Sequence, residues 1–228
     1  MKPALKLICL PLLILITVTV SGCGVPKNEA PANLEIGVSG IAALADRYIQ
    51  SGVELMEVLA VSPEVQSTEW DAMLPMLAEA DRNLIPAVRW FALADGSYHV
   101  VGLGKTANNI ADRAYFSILL AGENAIGELV VSRSTGKKVL VTAVPVIKDG
   151  EVIAALGTSI YLEALNAAIS EQIKLPEGMV FYAVTPAGEL ALHTDAALIL
   201  EATPEELDNA VFATSDLTGW RFALGYKK

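Results

Sequence analysis

Apolar residues recur at intervals of three and four through Leu34, Val38, Ile41, Ala45, Tyr48, Gly52, Leu55 and Leu59. That spacing predicts one buried face of a long helix ending near Ser62 and Pro63, where proline stops further propagation. Gly37, Gly40 and Gly52 lie within it, each a local cost in backbone entropy. A second helix is predicted to begin near Thr68, with Glu69 and Asp71 in its first turn and Trp70, Met73, Leu74 and Leu77 facing inward, and to be closed off by Pro86.

Beyond Pro86 the period changes from 3.6 to 2. Val88 to Leu93 and Tyr98 to Val101 read as strands around Asp95-Gly96, a turn in which glycine accepts the positive φ that a tight hairpin demands. Glu128 to Arg133, Lys137 to Ile147 and Glu151 to Ile160 read as three further strands, and the short turns between them make neighbours antiparallel. The intervening stretch, Lys105 to Gly122, is polar and then apolar and is expected to hold one or two short helices. Leu162 to Ile173 is again amphipathic and helical; Met179 to Val184 and Glu189 to His193 form a second hairpin around Pro186, Ala187 and Gly188. Thr203-Pro204-Glu205-Glu206 has the form of a capping box with proline at the first helical position, which predicts a short helix, and Gly219 to Tyr226 reads as a last strand. No internal repeat or low-complexity run is present. The pattern is α+β: a long N-terminal helix packed on an antiparallel sheet, followed by a smaller partial α+β module.

The opening residues follow other rules. Lys2 and Lys6 precede an apolar run from Leu7 to Val20, after which come Ser21, Gly22 and Cys23, the three-part organisation of a secretory signal. A run of about 14 residues falls short of the roughly 20 that span a bilayer as a helix. Val20-Ser21-Gly22-Cys23 resembles the lipobox of prokaryotic lipoproteins, which implies cleavage before Cys23 and a lipid on its sulfur; the alternatives are an uncleaved anchor or an ordinary signal beside a chance cysteine. The expected order is a signal peptide over 1–22, a tether over 23–33 containing Pro26 and Pro31, a ligand-binding module over 34–173 and a shortened second module or extension over 174–228. The other cysteine, Cys9, lies in the segment that cleavage would remove, so the exported chain has no disulfide.

Charge narrows the partners. The chain carries 16 basic and 26 acidic residues, a net charge of −10, and loss of Lys2 and Lys6 with the signal makes the remainder more acidic. Such a surface repels phosphate backbones and anionic headgroups, which excludes nucleic acid and polybasic membrane contact, although one pocket arginine still suffices for a small anion. Gly102-Leu103-Gly104-Lys105-Thr106 ends like a phosphate-binding loop, but His99 stands where the motif needs its first glycine. The two histidines, His99 and His193, make no metal-ligand pattern, and His193-Thr194-Asp195 reads as a solvated loop. No serine elbow, catalytic cysteine or paired-carboxylate motif stands out, so no catalytic residue, metal or cofactor is expected.

Three segments carry a family likeness: Asp112-Arg113-Ala114-Tyr115-Phe116; Ser132-Arg133-Ser134-Thr135-Gly136-Lys137 leading to Ala143-Val144-Pro145-Val146; and Gly150 followed by Ala155 to Leu162. Together they resemble a Cache domain, the extracytoplasmic PAS-like sensing module of chemoreceptors and sensor kinases, from about Val88 to Ile173. A weaker likeness to a second, membrane-proximal module runs through Gly188 to His193 and Thr218-Gly219-Trp220. The resemblance implies a small-molecule pocket between the sheet and the helical insert. It places Arg113 at the family's carboxylate-binding arginine, with Tyr115 and Phe116 where the amino-acid-binding branch has a tryptophan and a tyrosine. A guanidinium fork pairs with a carboxylate through two hydrogen bonds, and aromatic walls exclude the water that would weaken them.

The chain departs from that branch at three places. Asn108 and Val130 stand where the branch carries tyrosines, and Ser159 stands where it carries the aspartate that holds the ligand's amine. A buried ammonium without an anionic partner is costly, so the expected ligand is a carboxylate without an amino group, or a neutral molecule. Each site residue has a plainer reading too. Arg113 can be a surface arginine paired with Asp112; Tyr115 shares a helical face with Ile118 and Leu119; Phe116 reads as core. Trp90 and Tyr98 on adjacent strands can meet on either face, and Ser159 and Tyr161 share a face of their strand; these four, with Arg113 and Tyr115, are the six candidate pocket residues.

The function expected is that of a membrane-tethered extracytoplasmic sensor module for a small organic acid or similar solute. Neither a membrane helix nor an output domain follows the module before Lys228, so the expectation is of a separate signalling or transport partner. The alternatives are an envelope scaffold that binds no solute, and solute capture for a transporter.

Overall fold

The computed structural model describes residues 29–80 and 85–228, with side chains described from Asn33 onward. The signal segment and Cys23 lie outside the described residues.

The first helix, α1 (Glu29–Ala60), is continuous over 32 residues. Its buried stripe runs Val38, Ile41, Ala42, Ala45, Ile49, Val53, Met56 and Leu59. In its second half the stripe therefore rotates from the predicted Tyr48 and Leu55, which remain half-buried, to their neighbours. A short α2 (Pro63–Gln66) is capped by the Ser62 hydroxyl, which accepts from the Val65 amide. Helix α3 (Trp70–Ala80) buries Met73 and Leu77.

Two antiparallel sheets follow. The first has the order β3-β2-β1-β6-β5-β4, from β1 (Ala87–Leu93), β2 (Ser97–Val100), β3 (Gly104–Asn109), β4 (Ala125–Val131), β5 (Lys138–Lys148) and β6 (Glu151–Tyr161). The second has the order β8-β7-β10-β9, from β7 (Met179–Val184), β8 (Leu190–His193), β9 (Leu207–Thr214) and β10 (Arg221–Lys227). Helices α4 (Ala114–Leu120) and α5 (Leu162–Ile173) follow β3 and β6, and a 3-10 turn spans Ala196–Leu198. The β1–β2 turn uses Gly96 at φ +78°, as the hairpin signal requires.

Helix α1 lies against both sheets. Its N-terminal half packs with Leu140 and Ile160 of the first, with Phe181, Trp220 and Phe222 of the second, and with Leu165 and Ile169 of α5. Its C-terminal half joins Met73 and Leu77 against Phe91, Val144, Val146 and Leu156. The opposite face of the first sheet carries a separate cluster, in which Trp90, Tyr98, Val139 and Val141 meet Tyr115, Phe116 and Leu119 of the α4 region. Alternation along β1, β5 and β6 thus feeds two cores on opposite sides of one sheet.

One strand was missed and two expectations are corrected. The 105–122 insert holds one short helix, α4, but Gly104–Asn109 before it forms the edge strand β3, paired with β2. Its residues are mostly exposed, so no apolar alternation marked it as a strand. No helix starts at Thr203. The Glu205 side chain, which would close a capping box, instead reaches His193, and the chain runs into β9 beside β10. His193 itself is no solvated loop residue; it sits buried on β8 opposite Tyr182, whose ring stacks on its own.

Candidate functional site

A small, half-open recess lies between the first sheet and the insert that carries β3 and α4. Trp90 (β1), Tyr98 (β2), Tyr115 (α4) and Ser159 (β6) line it together with Arg113, so five of the six predicted pocket residues come to one place. Tyr161 does not line it. Although it shares the strand face of Ser159, it closes β6 as α5 begins, and Lys137 covers its ring at 4.8 Å. Phe116 is core, 1 % exposed.

The aromatic wall follows from strand register. Ala92 pairs with Tyr98 and Trp90 with Val100, so Trp90 and Tyr98 stand on the same face, one diagonal step apart. Trp90 also lies opposite Gly157 of β6. A methyl group at that glycine would stand 2.2 Å from Trp90 Cζ2, so only glycine lets the indole lie flat across β6. There Trp90 Nε1 donates to Ser159 Oγ at 3.1 Å. The Tyr115 ring sits 6.3 Å from that of Trp90, tilted by 45°.

Arg113 stands at the N-cap position of α4, half-buried, and its Nη2 donates to the Val131 carbonyl at 3.1 Å. Asp112 is not its partner. Arg133, in the β4–β5 turn, takes Asp112 through two parallel bonds of 2.6 and 2.7 Å and also donates to the Asn109 carbonyl. That fork holds the Asp112 carboxyl below the usual range. Asn108 Nδ2 donates to the Arg133 carbonyl at 3.0 Å, so the insert and the turn are stitched together beside the recess mouth. Among the described residues, Arg113 has no carboxylate at ion-pair distance.

Arg133, Ser132 and Ser134 also line the recess and were not predicted to. The Ser132-Arg133-Ser134 turn was visible in the sequence, but only its packing onto the insert brings it to the pocket. Val88, Ile110, Val130, Val139 and Val141 supply the apolar lining, and no aspartate or glutamate lies among the lining residues. Burial pushes the Tyr115 phenol up to about 12. Among the described residues no cluster of potential metal ligands occurs, and no helix is long and apolar enough to cross a membrane.

No protein-family model matches the chain, and no curated protein matches its sequence. Solved structures are similar in fold. The ligand-binding domain of the Pseudomonas fluorescens chemoreceptor CtaA, in complex with L-serine, superimposes with a TM-score of 0.68 at 17 % identity, over 87 % of this chain and 97 % of that one. The fold is that of a Cache, PAS-like domain. The sensory domain of the Campylobacter jejuni chemoreceptor Tlp3 with isoleucine bound gives a TM-score of 0.67 at 12 % identity, over 87 % of this chain and 93 % of its own. The ligand-binding domain of the Pseudomonas aeruginosa chemoreceptor PctC, in complex with GABA, gives 0.65 at 18 %, over 86 % and 98 %. All three are ligand-binding or sensory domains of chemoreceptors by name. The α+β expectation and the Cache-like architecture therefore hold for this chain.

Proposed function

We propose that this protein is an extracytoplasmic sensor module that binds a small organic carboxylate without an amino group in the recess between sheet and insert. The observation that carries the reading is the division of labour between two arginines. Arg133 is occupied by Asp112, while Arg113 keeps four of its five N–H donors beyond the single bond to Val131 and faces a recess lined by no acid. A half-buried guanidinium with spare donors gains paired, charge-assisted hydrogen bonds from a ligand carboxylate. Similar folds in chemoreceptors carry amino acids or GABA, which is in keeping with a carboxylate-seeking site. Ser159, in place of an aspartate, leaves an ammonium without a counter-ion.

In this reading the unit over 34–173 binds ligand and the smaller unit over 174–228 is a second module. Closure of the insert over the ligand shifts the domain between two states that a partner protein distinguishes. The lipid on Cys23 tethers the domain to the outer face of the cell membrane, and several acyl chains at about 0.8 kcal/mol per methylene suffice to hold it there.

Thermal denaturation with 4-methylpentanoate and similar amine-free acids tests the ligand reading: stabilisation is expected for the wild type and none for Arg113→Ala. Equal stabilisation of both would refute the arginine assignment. For the tether, Cys23→Ser is expected to move the protein from the membrane fraction to the soluble extracytoplasmic fraction.

A further inference from the structure

Three hydroxyls at the recess complete its chemistry. Tyr98 and Tyr115 are each 5 % exposed and Ser159 is 8 % exposed, and all three line the same space. Among the described residues neither tyrosine hydroxyl has a hydrogen-bond partner, and the Ser159 hydroxyl accepts from Trp90 Nε1 without donating to any protein group. Accepting the indole N–H occupies one of the two lone pairs of Ser159 Oγ and leaves its proton for whatever fills the recess. The Tyr115 hydroxyl feels the charges of Arg113 and Arg133 and the neighbouring Tyr98, which places these groups around one point. Burial keeps that phenol protonated, so it too acts as a donor.

The inner lining is thus rich in donors and carries no anionic acceptor. Against it, a ligand ammonium finds only hydroxyls and two guanidiniums, and a ligand hydroxyl brings a proton with few places to go. A carbonyl oxygen only accepts, which is the complement of this surface. The aliphatic remainder, Val88, Ile110, Val130, Val139 and Val141, suits an apolar side chain, which enters as the insert moves outward to admit it.

We infer that the site takes a 2-oxo acid with an apolar side chain, its carboxylate on Arg113 with Tyr115 beside it and its 2-oxo oxygen on the Ser159 hydroxyl. The inference rests on the carboxylate reading proposed above and specifies the ligand within it. No bond is made or broken; the ligand binds intact.

Calorimetry on the wild-type domain with 4-methyl-2-oxopentanoate, 4-methylpentanoate and leucine tests it. The oxo acid is expected to bind about tenfold more tightly than its deoxy analogue, the value of one hydrogen bond at about 1.4 kcal/mol, and leucine is expected to give no binding. Ser159→Ala, checked for folding by circular dichroism, should erase the tenfold preference between the two acids. Equal wild-type affinity for the two acids, or a preference that survives in Ser159→Ala, overturns the 2-oxo assignment while the carboxylate reading stands. Absence of binding by both acids overturns the two together. The wild-type comparison needs no variant, so it remains decisive even if Ser159→Ala does not fold.

Discussion

The two faces of one strand pair, β1 and β6, carry opposite fates. On the face toward α1, Arg89 is fully buried and its Nη1 donates to Thr158 Oγ1 at 2.8 Å, in direct register across the strands. On the face toward the insert, the very next residues, Trp90 and Ser159, make a second cross-strand bond at 3.1 Å. The first face is packed under a helix: Gly52 of α1 comes so near that an added methyl would lie 3.3 Å from Thr158. The second faces a recess, and its hydroxyls are left with protons to give. Side-chain alternation thus lets one pair of strands support a helix-covered face and the recess one residue apart. What sets Arg113 apart from Arg89 is that it sits on a loop at the recess, and that its neighbouring carboxylate, Asp112, is taken by Arg133.

Arg89→Ala is expected to have the largest effect on stability, a loss of about 3 kcal/mol or more from an emptied core position and an orphaned Thr158 hydroxyl. Urea denaturation measures it. The ligand-induced rise in melting temperature should survive in whatever fraction folds, because the damage is on the other side of the sheet.

Next in size is an effect confined to the recess face. The Tyr115 phenol is pushed from about 10 to about 12 by burial, so the folded state holds its proton more tightly than the unfolded chain. Stability from this group is complete below about pH 10 and is lost as pH rises through about 12, in all about 2–3 kcal/mol. Denaturation midpoints between pH 9 and 11 should fall more steeply in the wild type than in Tyr115→Phe. Identical slopes would place the phenol in solvent.

Gly157→Ala is expected to cost about 1–3 kcal/mol, because its methyl must displace the Trp90 indole. Trp90 then loses Ser159, and ligand stabilisation should fall with it even though Arg113 is untouched. Arg113→Ala has the smallest effect on the folded state, within about 0.5 kcal/mol, since only the bond to the Val131 carbonyl is lost. Its effect on ligand binding is nonetheless expected to be complete. These two variants sharpen the contrast from opposite sides, one disturbing the wall and the other only the fork.

Much of this was legible in the sequence where local periodicity and global packing agree. The periodic runs in α1 and α5, the turn at Asp95-Gly96 and the short turns between the later strands define the helix and sheet order directly. β3 and β9 escaped because edge strands with mostly exposed residues carry little alternation, and at β9 the apparent capping box was overridden when Glu205 turned to His193. At the site, Arg113 and Tyr115 were reached through family likeness, and Trp90 and Tyr98 through the pairing of adjacent strands. Arg133 was not, because its role depends on a fork to Asp112, 21 residues earlier, and only the folded chain brings those groups together. The same contact removed the plainest alternative for Arg113, pairing with its own neighbour.

A crystal structure of the protein grown with saturating 4-methylpentanoate tests the central claim most directly. The account predicts the carboxylate in paired contact with the Arg113 guanidinium, within the usual charge-assisted range of about 2.7–2.9 Å, and the alkyl chain between Trp90 and Tyr115. A carboxylate held elsewhere, or an empty recess with Arg113 turned to solvent, would contradict it.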